Sequence, residues 1–203
     1  MPRPKKTPAQ IQATREWILD TAYAILQESG PQALTSRAIA ERMGVAHMSL
    51  YTYFQNQAEI LRALIEQEQT RVRASLQAIA RRAEDGDITC VLEEVLAFII
   101  RYARENPNLY RLAWVTPEAG GASLEQSRQR MLGNVEQLAS LLQIGMQRGV
   151  FEPRDAFLAA GTVLGMVNMP FILFHSGRMA DVALRERMVT EVCSAAMGYL
   201  RKK

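Results

Sequence analysis

The apolar positions of this chain recur at three- and four-residue intervals almost from end to end, the spacing that lines one face of an α-helix. Ile18, Ala22, Ile25 and Leu26 form a first stripe that stops at Ser29-Gly30-Pro31, where Gly accepts a left-handed turn and Pro cannot continue the hydrogen-bond ladder. Ile60, Leu61, Leu64, Ile65, Val72, Leu76 and Ile79 predict a long helix over about 57–82, broken by Asp85-Gly86-Asp87. Ile88, Val91, Leu92, Val95, Leu96 and Ile99 carry the next, ending near Asn106-Pro107. A short helix follows at about 108–115, and Glu118 to Ser123 is the most loop-like segment in the chain. Leu132, Val135, Leu138, Leu142 and Met146 mark another helix, ended by Gly149, and two more are expected over about 154–176 and 180–201. No stretch alternates as a strand does, and no internal repeat is visible. The pattern predicts an all-α protein.

One stretch is apolar enough to resemble a membrane span, since no charged residue lies between Asp155 and Arg178. Thr162, Asn168, Pro170 and His175 interrupt it, and the other helices are amphipathic. It therefore reads as a helix buried in a core or a subunit interface, with Gly161 and Gly165 allowing close helix approach. No membrane partner is expected.

Composition narrows the class. With 203 residues, 48% hydrophobic and 22% charged, the chain has the material for a folded globular core. Two cysteines, Cys90 and Cys193, are too few for a disulfide framework, which points to a reducing compartment. The first residues contain no apolar run of the signal-peptide type, so a cytoplasmic location is expected. The net charge of +3 equals the contribution of Arg3, Lys5 and Lys6. That Pro-rich basic leader, residues 1–10, is either a solvated flexible tail or an arm laid along an anion. No Gly-rich phosphate loop, metal-spaced His/Cys/Asp/Glu cluster or nucleophile with a credible base is present, so neither an enzyme nor a cofactor or metal site is expected. Cys90, among Ile88, Val91 and Leu92, is expected to be buried, as is Cys193.

Residues 35–54 hold the candidate chemistry. Thr35 is a good N-cap for a short helix with Ile39, Ala40 and Met43 on its apolar face, and Gly44 is placed for a left-handed turn. Val45 re-enters the core, and a second short helix carries Leu50 and Phe54 inward, leaving His47, Met48, Ser49, Thr52 and Tyr53 outward. Two short helices joined by a Gly turn make a helix-turn-helix, whose second helix fits the major groove of DNA. The same pattern also occurs as plain helix packing.

The wider run adds to this. Arg15-Glu-Trp-Ile-Leu-Asp-Thr-Ala, the Gly30 break, Leu34-Thr-Ser-Arg-Ala-Ile-Ala, Gly44-Val45, Leu50-Tyr51-x-Tyr53-Phe54 and Glu59-Ile-Leu closely resemble the N-terminal domain of TetR-family transcriptional regulators over residues 11–65. Tyr102-Ala-Arg-Glu-Asn-Pro-Asn-Leu-Tyr-Arg-Leu is similar to a segment of one subgroup of their C-terminal domains. The resemblance implies a helix-turn-helix domain over 11–56 and a ligand-binding and dimerisation domain over 57–203. It implies a homodimer that binds a near-palindromic double-stranded DNA operator and releases it when a small molecule enters the C-terminal domain. Thr35 and Tyr51 would then contact phosphates, Arg37, His47, Met48 and Ser49 would lie at base edges, and Tyr53 would touch backbone or an adjoining base edge. Arg37 is the best candidate for guanine, which its fork can pair bidentately.

The chain departs from its relatives at Ala46, His47 and Gln57, the last at the start of the long helix where Lys is common, and each departure removes phosphate-binding capacity. Residues 11–56 hold Arg15, Arg37 and Arg42 against Glu16, Asp20, Glu28 and Glu41, which is poor electrostatics for a DNA reader. Attraction must then come from helix N-termini and from the Arg3/Lys5/Lys6 arm. A helical small-molecule binder with weakened or lost DNA binding, or an activator of the same fold, remains an alternative to a repressor.

Aromatic and sulfur side chains gather in the C-terminal half: Phe98, Tyr102, Tyr110, Trp114, Met131, Met166, Met169, Phe171 and Phe174. They are either core or the wall of an adaptable cavity, with Tyr102, Asn168 and His175 able to orient a ligand. Few charges lie among them, so a neutral, apolar or aromatic effector is expected. The apolar faces of the last two helices, too large to leave in water, are expected to pair as a four-helix bundle between two copies.

Overall fold

The computed structural model describes residues 7–116 and 123–202, and in these it is helical with no strand. Helix α1 spans Pro8–Ser29. Thr7 and Gln10 cap it reciprocally, Pro8 takes the first position where its missing N–H costs nothing, and Gly30 ends it at φ 76°. The segment expected as an arm up to residue 10 therefore already contains the first turn of a helix. Arg3, Lys5 and Lys6 lie outside the described residues.

Helix α2 spans Ser36–Met43 and is followed by a 3₁₀ segment, His47–Thr52. Helices α3 (Gln57–Ala80), α4 (Ile88–Glu105) and α5 (Pro107–Tyr110) come next, the last running on as a π-helical turn, Arg111–Val115. Helices α6 (Leu124–Gln147), α7 (Ala156–His175) and α8 (Val182–Leu200) complete the chain. Of the loop expected over Glu118 to Ser123, residues 118–122 fall outside the described residues and Ser123 caps α6.

Apolar side chains collect in two cores. One is built by α1, α2, the 3₁₀ segment and the first half of α3, around Ile18, Leu26, Ile39, Leu50, Phe54 and Leu64. The other is built by α4, α6, α7 and α8, around Leu92, Leu96, Leu142, Val163, Phe171 and Leu200. Helix α3 belongs to both: Ile60, Leu64 and Ile65 sit in the first, while Leu76, Ile79 and Ala80 pack on the second. The segment 107–115 does the same over a much shorter distance. Leu109 and Leu112 are buried in the first core, and Tyr110 in the second.

Helix α7 is long and apolar enough to cross a membrane by length and composition, and its apolar surface is shared between the second core and an open face. Ala159, Ala160, Val163, Val167 and Phe171 are fully buried, while Leu158 and Met169 on the opposite side are exposed. Cys90 corrects the sequence expectation. It is exposed, because Ile88, Val91, Leu92, Val95 and Leu96 define a buried face from which position 90 is turned away, while Cys193 is half-buried.

Candidate nucleic-acid interface and ligand cavity

The helix-turn-helix is held together by its own backbone groups. The Thr35 hydroxyl accepts from the Ala38 N–H at 3.1 Å, capping α2. Gly44 adopts φ 67° and ψ 30°, and the Val45 N–H then donates to the Ala40 carbonyl at 3.0 Å, closing the turn. A side chain with a Cβ is strained in that conformation, which is why Gly stands there. Leu50 and Phe54 point into the first core as expected.

What faces outward is a compact polar and apolar surface. Arg37 is exposed on the first turn of α2, and Met48 is 71% exposed at the tip of the 3₁₀ segment beside exposed Ser49. Tyr51 is exposed and meets His47 edge-on, with its hydroxyl 3.5 Å from His47 Nε2. Two residues expected outward are half-buried instead. His47 is covered in part by Tyr51, and Tyr53 packs against the first core, its carbonyl accepting from Arg15. Gln57 is exposed, yet its Nε2 donates to the Leu34 carbonyl at 2.6 Å, tying the start of α3 to the residue before the cap.

The cations of this region are mostly occupied. Arg15 lies 4.0 Å over the Phe54 ring and 3.7 Å from Glu59, so it braces α1 against the end of the 3₁₀ segment. Arg42 forms a fork with both Glu28 carboxylate oxygens at 2.7 and 2.6 Å, which holds the Glu28 carboxyl below its usual range. Among the described residues of α1, α2 and the 3₁₀ segment, Arg37 is the one arginine outside an ion pair.

A cavity opens between α3, α4, the 107–115 segment, α6 and α7, about 700 Å³ when the space of its open mouth is counted. Phe98, Tyr102, Tyr110, Trp114 and Asn168 line it. The Tyr110 hydroxyl donates to Asn168 Oδ1 at 2.8 Å, and Asn168 Nδ2 donates to the Leu164 carbonyl at 2.8 Å, so this polar pair is fixed before any ligand enters. Burial pushes both Tyr102 and Tyr110 well above the ordinary phenol value, so both hydroxyls stay protonated donors.

Six other residues offered for the cavity do not line it, among them Phe174, which meets His175 edge-on beneath the Arg185 guanidinium. Met131 borders an outer groove with Phe157 and Leu158, beyond a wall formed by Trp114, Leu164 and Asn168. Met166 packs against the second core, and Met169 is exposed on the far side of α7. Phe171 and His175 lie behind Tyr110, with ring centroids 5.9 and 5.1 Å away. Missed altogether were Gln69, Val72, Arg73 and Leu76 on α3, and Asn134 on α6. Arg73 puts a cation into a lining expected to hold few charges.

His175 stiffens the inner wall, its Nε2 lying 3.2 Å from the Ala103 carbonyl. Burial depresses its pKa below the ordinary 6.5, helped by Arg185 and Arg111 and opposed by the bond to Ala103. Its contribution to stability is full above pH 6.5 and is lost as pH falls through the depressed folded value. The thermal midpoint should therefore decline below pH 6.5, and His175→Gln should flatten that decline; an unchanged slope would show that other groups set it.

A helix-turn-helix joined to a helical body with a largely apolar cavity is the arrangement of a DNA-binding regulator of the one-component type. Residues 18–64 match the family model of the bacterial regulatory proteins, tetR family. The nucleoid occlusion factor SlmA of Alteromonas mediterranea is 26% identical over 184 residues, covering 88% of this chain and 86% of the relative. A TetR-family regulator from Pectobacterium atrosepticum superposes with a TM-score of 0.75 at 21% identity, over 97% of this chain and 99% of its own. A regulator from Saccharomonospora viridis, solved in complex with choline, gives 0.72 at 14% identity, over 95% and 100%. Residues 18–64 thus match the DNA-binding domain of the tetR family, and the rest of the chain shares the fold of its solved members. Members of that family are DNA-binding regulators rather than enzymes.

Proposed function

We propose that the protein is a cytoplasmic homodimeric repressor, with residues 11–56 as its DNA-binding domain, that leaves a near-palindromic operator when a small molecule occupies the cavity. One observation carries this reading: Arg37, Met48, Ser49 and Tyr51 are each exposed on the helix-turn-helix while Leu50 and Phe54 are buried in its core. Arg37 would read guanine, exposed Met48 would meet a thymine methyl, and Thr35 and Tyr51 would hold phosphates. His47, Ser49 and Tyr53 would complete the contact. Gln57 would contribute only by giving up its bond to Leu34. The Arg3/Lys5/Lys6 arm would supply charge that the domain lacks.

The effector would have an apolar or aromatic body that stacks on Trp114 and Phe98 and bonds Asn168. Arg73 on the wall disfavours a cation such as the choline of the Saccharomonospora viridis neighbour, because like charges repel.

Selection of bound DNA from a random pool tests the reading directly. Arg37→Ala should cost about 1–3 kcal/mol on the selected site and relax selection at one base pair per half-site. An equal loss on random DNA would assign Arg37 to phosphate. The scarcity of untied cations favours the rival, a small-molecule binder with weakened DNA binding, and the absence of any salt-dependent band shift would establish it.

A further inference from the structure

Two arginines outside any ion pair among the described residues border one groove between α3 and α6, and one of them, Arg73, also lines the cavity. Arg73 lies on the cavity wall and also borders an outer groove between α3 and the start of α6, and Gln69 borders both spaces. The Arg73 guanidinium reaches across to α6, its Nη2 lying 3.7 Å from where a Cβ on Gly133 would stand. Arg130, one turn earlier on α6, lines the same outer groove. Its Nη1 is buried and has no hydrogen-bond partner among the described residues.

Neither arginine is in an ion pair among the described residues. Of the acids along the groove, Glu125 is engaged by Arg128 and by Gln129 at 2.8 Å, which leaves Glu66 at the opposite edge. Among the described residues no carboxylate lines the cavity itself. A buried, unpaired guanidinium nitrogen is costly, and nearly all buried donors in folded proteins find an acceptor. Arg73, exposed on the same groove, is a second cation that an anion there would reach.

Resting on the effector reading above, we propose that the ligand is an amphiphilic carboxylic acid. Its apolar or aromatic body fills the space among Val72, Leu76, Phe98 and Trp114, and its carboxylate lies at the mouth between Arg73 and Arg130. The planar guanidinium forks suit a carboxylate in a way that an ammonium or an amide would not. A free acid thus replaces the uncharged effector expected from composition, and Asn134 and Asn168 remain for a polar group within the body.

The chain has two tryptophans, and Trp17 is half-exposed on α1, so Trp17→Phe leaves Trp114 as the sole reporter inside the cavity. Decanoate and 4-phenylbutyrate would be titrated into this variant alongside decanamide and 4-phenylbutanamide, with Trp114 emission as the readout. The acids should bind at least about tenfold more tightly than the amides, a difference of roughly 1.4 kcal/mol. Arg73→Gln and Arg130→Gln should each bring the acids towards the amide level while leaving amide binding unchanged, which also shows that the variants fold. Arg73→Lys should keep part of the preference. Equal binding of acid and amide by the parent, or a preference that survives Arg73→Gln together with Arg130→Gln, overturns the carboxylate and leaves the cavity reading standing. Failure of all four compounds to perturb Trp114 removes both.

Discussion

Replacing Leu158 by Glu is expected to turn the protein from a dimer into a monomer and to lower its affinity for a two-half-site operator by at least about a hundredfold. Leu158 is 66% exposed at the first turn of α7, and Met169, 49% exposed, continues the same face three turns later, with Gly161 and Gly165 between them. Nothing within 4 Å would meet a Cβ on either glycine, so the face is open along its length. Val182 and Leu184 add exposed apolar surface at the start of α8. A patch of this kind is the signature of a subunit interface, and in a two-fold pair one substitution introduces two carboxylates. Desolvating them without partners costs several kcal/mol, enough to dissociate an interface of ordinary size. A monomer docks one half-site and loses the effective concentration that the second recognition surface enjoys. Because Leu158 stands outside the buried core, helical content and the thermal transition of the monomer should persist. Sedimentation at micromolar concentration and a band shift on paired and single half-sites measure both effects. A Leu158→Glu protein that still sediments as a dimer would place the interface elsewhere.

The helices were legible because each has an apolar stripe and a chemical stop, and Thr35, Gly44, Leu50 and Phe54 do what their types and spacing imply. The 3₁₀ character of His47–Thr52 was not, since the four-residue step from Leu50 to Phe54 suits an α-helix equally well. Cys90 could have been read correctly. Its neighbours Ile88, Val91 and Leu92 share a helical face that position 90 does not. The cavity was half legible for a physical reason. Aromatic residues mark where a wall and its backing both lie, and composition does not distinguish Tyr110, which faces the space, from Phe171 and His175, which support it from behind. Arg73 and Arg130 were hidden because a charge on an amphipathic helix ordinarily reads as solvated. Only the packing of α3 against α6 shows one guanidinium at a cavity mouth and another nitrogen buried without an acceptor among the described residues.

The second large effect concerns the link between the cavity and the DNA surface. Helix α3 makes one connection, since it starts beside the 3₁₀ segment and carries Val72 and Leu76 to the cavity. The 106–115 segment makes another that is shorter and better fastened. Asn106 Oδ1 accepts from the Tyr23 hydroxyl at 2.9 Å and from Gln27 Nε2 at 2.8 Å, both on α1, and Asn108 Nδ2 donates to the Leu26 carbonyl at 2.8 Å. Leu109 and Leu112 are buried in the DNA-binding core while Tyr110 and Trp114, on the same short stretch, line the cavity. A ligand that moves Tyr110 or Trp114 must therefore move Leu109 and Leu112, and with them α1 and the recognition surface. Half-sites lie about 34 Å apart, so a shift of a few ångströms in each protomer prevents simultaneous docking. Asn106→Ala removes the acceptor shared by Tyr23 and Gln27 and should cost about 1–3 kcal/mol of stability. Each ligand alone, DNA or effector, should still bind near the parental affinity. The coupling between them should fall from the 5–150-fold typical of such switches towards unity, and linkage requires that it fall equally in both directions. Effector affinity measured on the free protein and on the DNA complex, for parent and Asn106→Ala, decides the point. If the variant keeps the parental ratio, α3 alone transmits the signal and the contacts of Asn106 serve only to hold the two cores together.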